Sequence, residues 1–240
     1  MTETSELFLS RVILNPRNRE VQRDLANCHL LHQRVMAAFP TATTPAARAE
    51  FGVLYRPDVD PRTGVVTLLV QSWVAPNWSH LLAARGDRSY LLETPGLENP
   101  ATKAIGEVLS GLREGQRLRF RLRANPTKRL AERRQTQRVD RLLGKRVALL
   151  KEEDQEEWLQ RRAAAAGFRV VRAEARPDRV FGQNQTGMRA GEPGGRLTFG
   201  AVVFEGLLEI SDAESFRRAV RCGIGSGKAY GFGLLSLAPI

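Results

Sequence analysis

The sequence has few of the residues that disulfide-bonded and metal-binding proteins use. It contains two cysteines, Cys28 and Cys222, and three histidines among 240 residues. Two cysteines so far apart form no disulfide framework and fit reduced thiols in a cytoplasmic protein. The chain has no H-E-x-x-H segment, so a zinc site is a poor interpretation of its histidines. We therefore expect no metal and no cofactor.

Long hydrophobic runs are also missing. No apolar stretch approaches the roughly 18 residues that a transmembrane helix needs. The first residues, M1-T-E-T-S-E-L-F8, are acidic and lack the basic and apolar regions of a signal peptide. We therefore expect a cytoplasmic protein without a membrane partner. Hydrophobic residues still make up 42 % of the chain, which is enough for a packed core.

Acidic residues are too few to balance the basic ones. Lysine and arginine total 37 against 26 aspartate and glutamate residues, a formal net charge of +11. A surplus of this size favours a polyanionic partner, most simply nucleic acid. The alternative is the basic composition of an arginine-rich proteome, but here the charge is also clustered.

The first half of the chain predicts the element order βαββαβ. A helix begins after Asn27, a good N-cap residue, and its apolar seam stops at Pro40. The other predicted elements are strands at 7–14, 50–56, 65–73 and 116–123, an ordered loop at 75–100, and a short helix at 101–112.

The second half repeats this order without clear sequence repetition. Its predicted elements are strands from 147, from 168, at 197–210 and at 234–237, helices at 152–166 and 212–221, and a loop at 176–196. We predict an α+β fold of two tandem ferredoxin-like (βαββαβ, RRM-like) domains at 1–124 and 142–240, joined by a basic connector at 125–141.

Arginines alternate with apolar residues in R117-L-R-F-R-L-R-A-N-P-T-K-R129. A strand has a period of two residues, so its arginines share one face, roughly 7 Å apart. Guanidinium groups match phosphate with paired hydrogen bonds, and the segment predicts a nucleic-acid surface. Its residues are Arg117, Arg119, Arg121, Arg123, Lys128 and Arg129. The alternative is a solvated strand face with acidic neighbours.

The glycine-rich segment G223-I-G-S-G-K-A-Y-G-F-G233 suggests a phosphate-binding loop, but its residues do not fit one. The P-loop pattern would need glycine where Cys222 stands and serine or threonine where Ala229 stands. What remains is a backbone that can approach another chain closely and that carries Lys228, a candidate RNA contact.

Two of the three histidines, His29 and His32, lie three residues apart in the first turns after Asn27. They can be an acid/base pair, because histidine titrates near neutrality and can move protons at a phosphodiester. A helix N-terminus also attracts phosphate. The remaining histidine, His80, lies in a predicted loop. The plain alternative is two polar residues on a helix surface.

Together these segments resemble the CasE family, the CRISPR repeat-processing endoribonucleases of type I-E Cascade. The resemblance covers nearly the whole chain and rests on R23-D-L-A-N-C-H-L-L-H32, the arginine segment, F204-E-G206 and the glycine-rich segment. It implies two ferredoxin-like domains, metal-independent cutting of pre-crRNA at the 3′ base of the repeat hairpin, a retained crRNA, and assembly with other Cascade subunits.

The resemblance also assigns roles to residues. His32 matches the family's catalytic histidine, and His29 stands where several relatives have tyrosine, so it either moves a proton or binds phosphate. The 176–196 loop corresponds to a hairpin that reaches the RNA stem, and its arginines are Arg176, Arg179, Arg189 and Arg196. The second hypothesis is a non-catalytic RNA-binding subunit of a CRISPR ribonucleoprotein, which would have no need of the histidine pair.

Overall fold

The computed structural model describes residues 6–44, 46–82, 89–129, 146–183 and 196–240. Its α-helices are α1 (Arg19–Ala26), α2 (Cys28–Met36), α3 (Ala47–Glu50), α4 (Gly106–Ser110), α5 (Glu152–Ala165) and α6 (Ala213–Cys222). Its strands are β1 (Phe8–Leu14), β2 (Leu54–Val59), β3 (Val66–Ser72), β4 (Ala101–Ala104), β5 (Arg117–Ala124), β6 (Thr127–Arg129), β7 (Arg146–Ala148), β8 (Phe168–Gln183), β9 (Arg196–Ile210) and β10 (Leu235–Ala238).

The first sheet is antiparallel and has the strand order β2-β3-β1-β4. Its core packs buried residues of β1, β2 and β3 against α1 and α2, including Val12, Val21, Val35 and Val70. The fourth strand corrects a prediction, because residues 101–104 form β4 instead of the start of a helix. Strand β4 pairs with β1, and only the five residues of α4 are α-helical in the predicted 101–112 segment.

The second sheet is also antiparallel and has the order β10-β5-β9-β8. Helices α5 and α6 cover one of its faces, where Leu118, Phe120 and Leu122 of β5 join Phe204 of β9 in a buried core. Strand β5 was predicted within the N-terminal unit, but it pairs with β9 and β10. Its apolar face fits the core built by α5 and α6, and the local alternation of residues carries no information about the partner strand.

The structure also corrects the segment predicted as a loop at 176–196. Strand β8 continues to Gln183 and pairs with β9 from Arg196 onward, so 176–183 is strand, and residues 184–195 lie outside the described ranges. The predicted connector at 125–141 begins with β6, which pairs with β7 in a two-stranded ladder. The rest of that connector is likewise outside the described residues.

The two four-stranded sheets are joined by polar contacts between buried groups. The guanidinium of Arg56 on β2 donates to the carbonyl of Arg121 and to Ser236 Oγ, at 3.2 and 2.9 Å. Gln71 Nε2 on β3 donates to the carbonyl of Val220 on α6 at 2.9 Å. The first half is thereby fixed against the second. In the described ranges, no helix has the length and apolar character needed to cross a membrane.

Candidate functional site

Helix α2 presents both predicted histidines because the chain breaks at Asn27 between two short helices. Asn27 is extended, with φ of −134°, and its side-chain oxygen accepts a hydrogen bond from the His29 amide at 3.1 Å. This confirms Asn27 as the N-cap of the helix that begins at Cys28. Helix α1 was not predicted from the sequence, and Asn18 is its N-cap.

A buried ionic cluster fixes the orientation of α2. Asp24 on α1 is 1 % exposed and accepts hydrogen bonds from Arg34 Nε at 2.8 Å and from the Tyr90 hydroxyl at 3.1 Å. The Arg34 guanidinium lies over the Tyr90 ring, 4.7 Å from its centroid, and also pairs with Glu20. His80 Nε2 donates to the Arg34 carbonyl at 3.2 Å, so the third histidine supports this helix from a 3₁₀ turn at Ser79–Leu81.

His32 lies between two tyrosine rings. The Tyr55 ring is nearly parallel to it with centroids 6.4 Å apart, and the Tyr230 ring meets it edge-on at 6.3 Å. Burial, followed by the neighbouring His29 and Arg48, lowers the pKa of His32 to about 4. The imidazole is therefore neutral at physiological pH and able to accept a proton.

Both histidines also carry an unused ring nitrogen. The Nδ1 atoms of His29 and His32 are buried and have no hydrogen-bond partner among the residues the structure describes. A buried polar atom without a partner is unfavourable, and such atoms concentrate where a ligand or substrate supplies the missing bond. The histidine pair thus has the features of a substrate-binding position.

A short turn from the glycine-rich segment completes this site. The 3₁₀ turn Lys228–Tyr230 lies between Gly227 and Gly231, whose φ angles of 75° and 82° favour glycine. The Tyr55 hydroxyl donates to the Ala229 carbonyl at 2.8 Å and so fixes the turn beside His32. The glycine-rich backbone thus packs closely within the chain itself, and its predicted approach to another chain stays a prediction.

Lys228 lies in the same turn, and its amine already forms a hydrogen bond within the chain. Lys228 Nζ donates to the Cys222 carbonyl at 2.7 Å. Burial and the nearby Arg48 lower the pKa of Lys228. The structure thus brings Lys228 to the turn that lies against α2, and its contact with RNA stays a prediction.

The four arginines of β5 share the face opposite the core, as predicted, but three of them have acidic partners. Arg117 pairs with Glu209 at 2.8 Å, Arg121 with Glu205 and Asp58, and Arg123 with Asp178 at 2.5 Å. These partners match the alternative interpretation of a strand face with acidic neighbours, because carboxylates of β2, β8 and β9 neutralise most of the arginine charges. Arg119 has no ion-pair partner in the described part of the chain and is exposed.

A groove runs along this arginine face. It has a volume of about 710 Å³ and is lined by residues that include Arg56, Arg119, Arg121, Arg172, Glu205 and Ser236. At its far end β5 reaches the histidine site, because the Arg123 carbonyl accepts a hydrogen bond from Gly233 N at 2.9 Å. One strand therefore links the basic face to the turn beside His32.

The remaining predicted RNA contacts lie on the hairpin strands and on β6. Lys128 and Arg129 are exposed on β6. Arg176 on β8 is exposed and pairs with Glu205. The backbone of Arg179 pairs with Gly200 and Arg196 begins β9, while Arg189 lies outside the described residues. The RNA-binding roles of all these residues stay predictions.

Three residues of the site were not predicted from the sequence: Tyr55, Tyr230 and Arg48. Tyr55 and Arg48 carry no local signal, because only the tertiary fold brings them near His32. Tyr230 stands in the glycine-rich segment, and that position was the one available clue. In the described ranges, no group of three or more histidine, cysteine or acidic side chains is placed to hold a metal ion.

Comparisons with known proteins match nearly the whole chain. Residues 7–239 match the family model described as CRISPR associated protein. The chain is 36 % identical over 240 residues to CRISPR-associated endoribonuclease Cse3 of Thermus thermophilus, covering 97 % of this chain and 100 % of that protein. It is 38 % identical over 152 residues to the CRISPR system Cascade subunit CasE of Escherichia coli, covering 59 % of this chain and 70 % of that protein.

The fold is similar to solved structures of the same relatives. A structure of CRISPR endoribonuclease Cse3 bound to 19-nt RNA has a TM-score of 0.74 and 33 % sequence identity, covering 98 % of this chain and 100 % of that chain.

Proposed function

The chain belongs to the CRISPR-associated Cse3/CasE family, and on that premise we propose that it is an endoribonuclease acting on CRISPR RNA. It binds the repeat hairpin of the precursor RNA, cuts it at the 3′ base of the stem, and keeps the mature RNA as a subunit of a Cascade complex. Support comes from the match to Cse3 along its full length and from the match to the Cascade subunit CasE.

The observation that carries the catalytic part is the neutral His32 between Tyr55 and Tyr230. In the proposed reaction His32 accepts the proton of the 2′-hydroxyl as that oxygen attacks the adjacent phosphorus. The new bond joins phosphorus to the 2′-oxygen, and the bond to the 5′-oxygen breaks. His29 protonates the leaving 5′-oxygen. The products are a 2′,3′-cyclic phosphate and a 5′-hydroxyl, and RNA supplies the nucleophile without a metal ion.

RNA binding is proposed for the basic face of the second sheet and the hairpin of β8 and β9. Arg119 of β5 and Lys128 and Arg129 of β6 are exposed cations without an ion-pair partner among the described residues. A-form RNA presents its phosphates and hides its bases in a deep groove, so recognition leans on shape and charge. The other candidates are Arg117, Arg121, Arg123, Arg179, Arg189 and Lys228.

We also propose that both halves are ferredoxin-like. Within each half, strands numbered in chain order lie in the spatial order 4-1-3-2, counting β1 to β4 in the first and β5, β8, β9 and β10 in the second. All pairs are antiparallel. The cytoplasmic location and, apart from the place of β5, the domain bounds stay predictions.

The test uses a labelled CRISPR repeat hairpin and a copy with one 2′-deoxy nucleotide before the scissile phosphate. In EDTA, we expect the enzyme to bind both RNAs equally and to cut only the all-ribose hairpin at one site, leaving a 2′,3′-cyclic phosphate. Cutting of the 2′-deoxy hairpin would contradict the nucleophile, and cutting only after magnesium is added would contradict metal independence. Binding of cognate hairpins without any cutting would favour the RNA-binding subunit.

A further inference from the structure

Tyr230 lies beside His32, and no described residue engages its hydroxyl. Its ring meets His32 edge-on at a centroid distance of 6.3 Å. No described residue forms a hydrogen bond with its hydroxyl, and that oxygen is not among the buried unpartnered atoms, so it reaches solvent at the site. The other tyrosine next to His32, Tyr55, already donates its hydroxyl to the Ala229 carbonyl.

The position of Tyr230 is fixed from several sides. Its amide donates to the Gly227 carbonyl at 2.8 Å, which closes the 3₁₀ turn. Its ring packs on Phe199 of β9 with centroids 5.3 Å apart, in a cluster that includes Cys28 at the start of α2. The Tyr55 bond fixes the preceding residue, Ala229. A phenol held this firmly loses little conformational freedom when a substrate binds to it.

We propose that Tyr230 joins His32 and His29 as a residue that contacts the scissile phosphodiester. Its hydroxyl donates a hydrogen bond to a non-bridging oxygen of the scissile phosphate. This inference rests on the proposed ribonuclease function and adds a group that stabilises the negative charge of the transition state. Burial raises the pKa of Tyr230, so the phenol keeps its proton and remains a donor at physiological pH.

In the proposed site, Tyr230 and the two histidines have different roles. His29 and His32 can both serve proton transfer, while neither is then needed to bind the phosphate oxygens. Tyr230 reaches the same site from the other half of the molecule, because the glycine-rich turn belongs to the second sheet and α2 to the first. The scissile phosphate is thus bound where the two halves meet.

The first test compares Tyr230→Phe with Tyr230→Leu. Tyr230→Phe keeps the ring on Phe199 and removes only the donor, so we expect single-turnover cleavage of the repeat hairpin to slow by about 100-fold. The melting temperature should stay unchanged, and binding of the 2′-deoxy hairpin should weaken by no more than about tenfold, the size expected for one lost hydrogen bond. Full cleavage activity in Tyr230→Phe, with weakened RNA binding in Tyr230→Leu, would overturn the proposal in favour of a stacking role.

A second measurement needs no cleavage and so separates this proposal from the proposed function. The probes are two RNA oligonucleotides that end after the hairpin with either a 2′,3′-cyclic phosphate or a 3′-hydroxyl. We expect wild type to bind the phosphate-ended RNA more tightly than the 3′-hydroxyl RNA. In Tyr230→Phe the ratio of the two affinities should be about tenfold smaller. An equal preference in both proteins would overturn the phosphate contact, whether or not the wild type cuts RNA.

Discussion

At the scale of single residues, the chemistry of the site depends on the charge state of one imidazole. His32 is surrounded by two tyrosine rings, a second histidine and the cation Arg48, and no carboxylate is among the groups that shift its pKa. Every one of these influences favours the neutral ring. A neutral imidazole can take the proton of a 2′-hydroxyl, whereas a protonated one cannot.

The first prediction concerns this pKa. In an NMR titration we expect His32 to titrate near pH 4, far below its ordinary 6.5. In His29→Gln the His32 pKa should rise, because one of the groups that oppose protonation is removed. It should remain below 6.5, since burial is the largest cause. His80→Gln is the matched control and should leave the titration unchanged. A wild-type His32 that titrates at 6.5 or above would contradict this account.

The same shift has a consequence for stability with a definite sign. The unfolded chain binds a proton at His32 below about pH 6.5, while the folded chain does so only near pH 4. The stability that the neutral His32 gives the folded protein is therefore complete above pH 6.5. It is lost as the pH falls from 6.5 toward 4, because only the unfolded chain binds the proton in that range.

At the scale of secondary-structure elements, β5 combines a core face with a charged face. Leu118, Phe120 and Leu122 are buried, while Arg117 and Arg121 on the other face pair with acidic residues of the adjoining strand β9. Ion pairs of this kind reduce the positive potential available to RNA, so the arginines of one strand should contribute unequally to RNA binding. The exposed and unpaired Arg119 should contribute more to binding than its neighbours.

The second prediction follows from that inequality. Arg119→Ala should weaken binding of the 2′-deoxy repeat hairpin and reduce the slope of log affinity against log salt by about 1. Arg117→Ala is the matched control, because Arg117 is exposed on the same strand but pairs with Glu209 at 2.8 Å. Its effect on the slope should be smaller. Equal slopes for wild type and Arg119→Ala would show that this face does not contact phosphates.

Local sequence predicted most of the elements but not their partners. The alternation in β5 and the cap at Asn27 are local features, and both were read correctly. The assignment of β5 to the first sheet was wrong because every apolar strand face looks alike from within the strand. Residues 101–104 carry two alanines and a lysine, which favour helix over strand, and only pairing with β1 makes them β4.

At the scale of the whole molecule, the site exists only because the two halves pack together. Helix α2 belongs to the first half, and the turn that carries Tyr230 belongs to the second. Buried Arg56 joins the halves through the Arg121 carbonyl and Ser236, and its ion pair with Asp58 on the same strand holds the guanidinium in place. The sequence predicted a repeated βαββαβ order and a catalytic candidate, but it could not show that the candidate site lies between the two halves.

The third prediction tests this junction. Arg56 is 3 % exposed, and Arg56→Ala removes its ion pair and leaves buried acceptors unsatisfied. We expect the free energy of unfolding in urea to fall by about 3 kcal/mol. Arg62→Ala, in the exposed loop after β2, is the control and should change it by less than about 0.5 kcal/mol. A loss below about 1 kcal/mol in Arg56→Ala would mean that Arg56 contributes little to the junction.

The most direct test of the whole account is cleavage by His32→Ala. Wild type and variant are incubated in EDTA with a labelled CRISPR repeat hairpin, and both products and bound RNA are resolved. The account predicts that wild type cuts at one site, while His32→Ala binds the hairpin equally well and cuts at least about 1,000-fold more slowly. Cleavage by His32→Ala at the wild-type rate would contradict the assignment of His32 as the catalytic base.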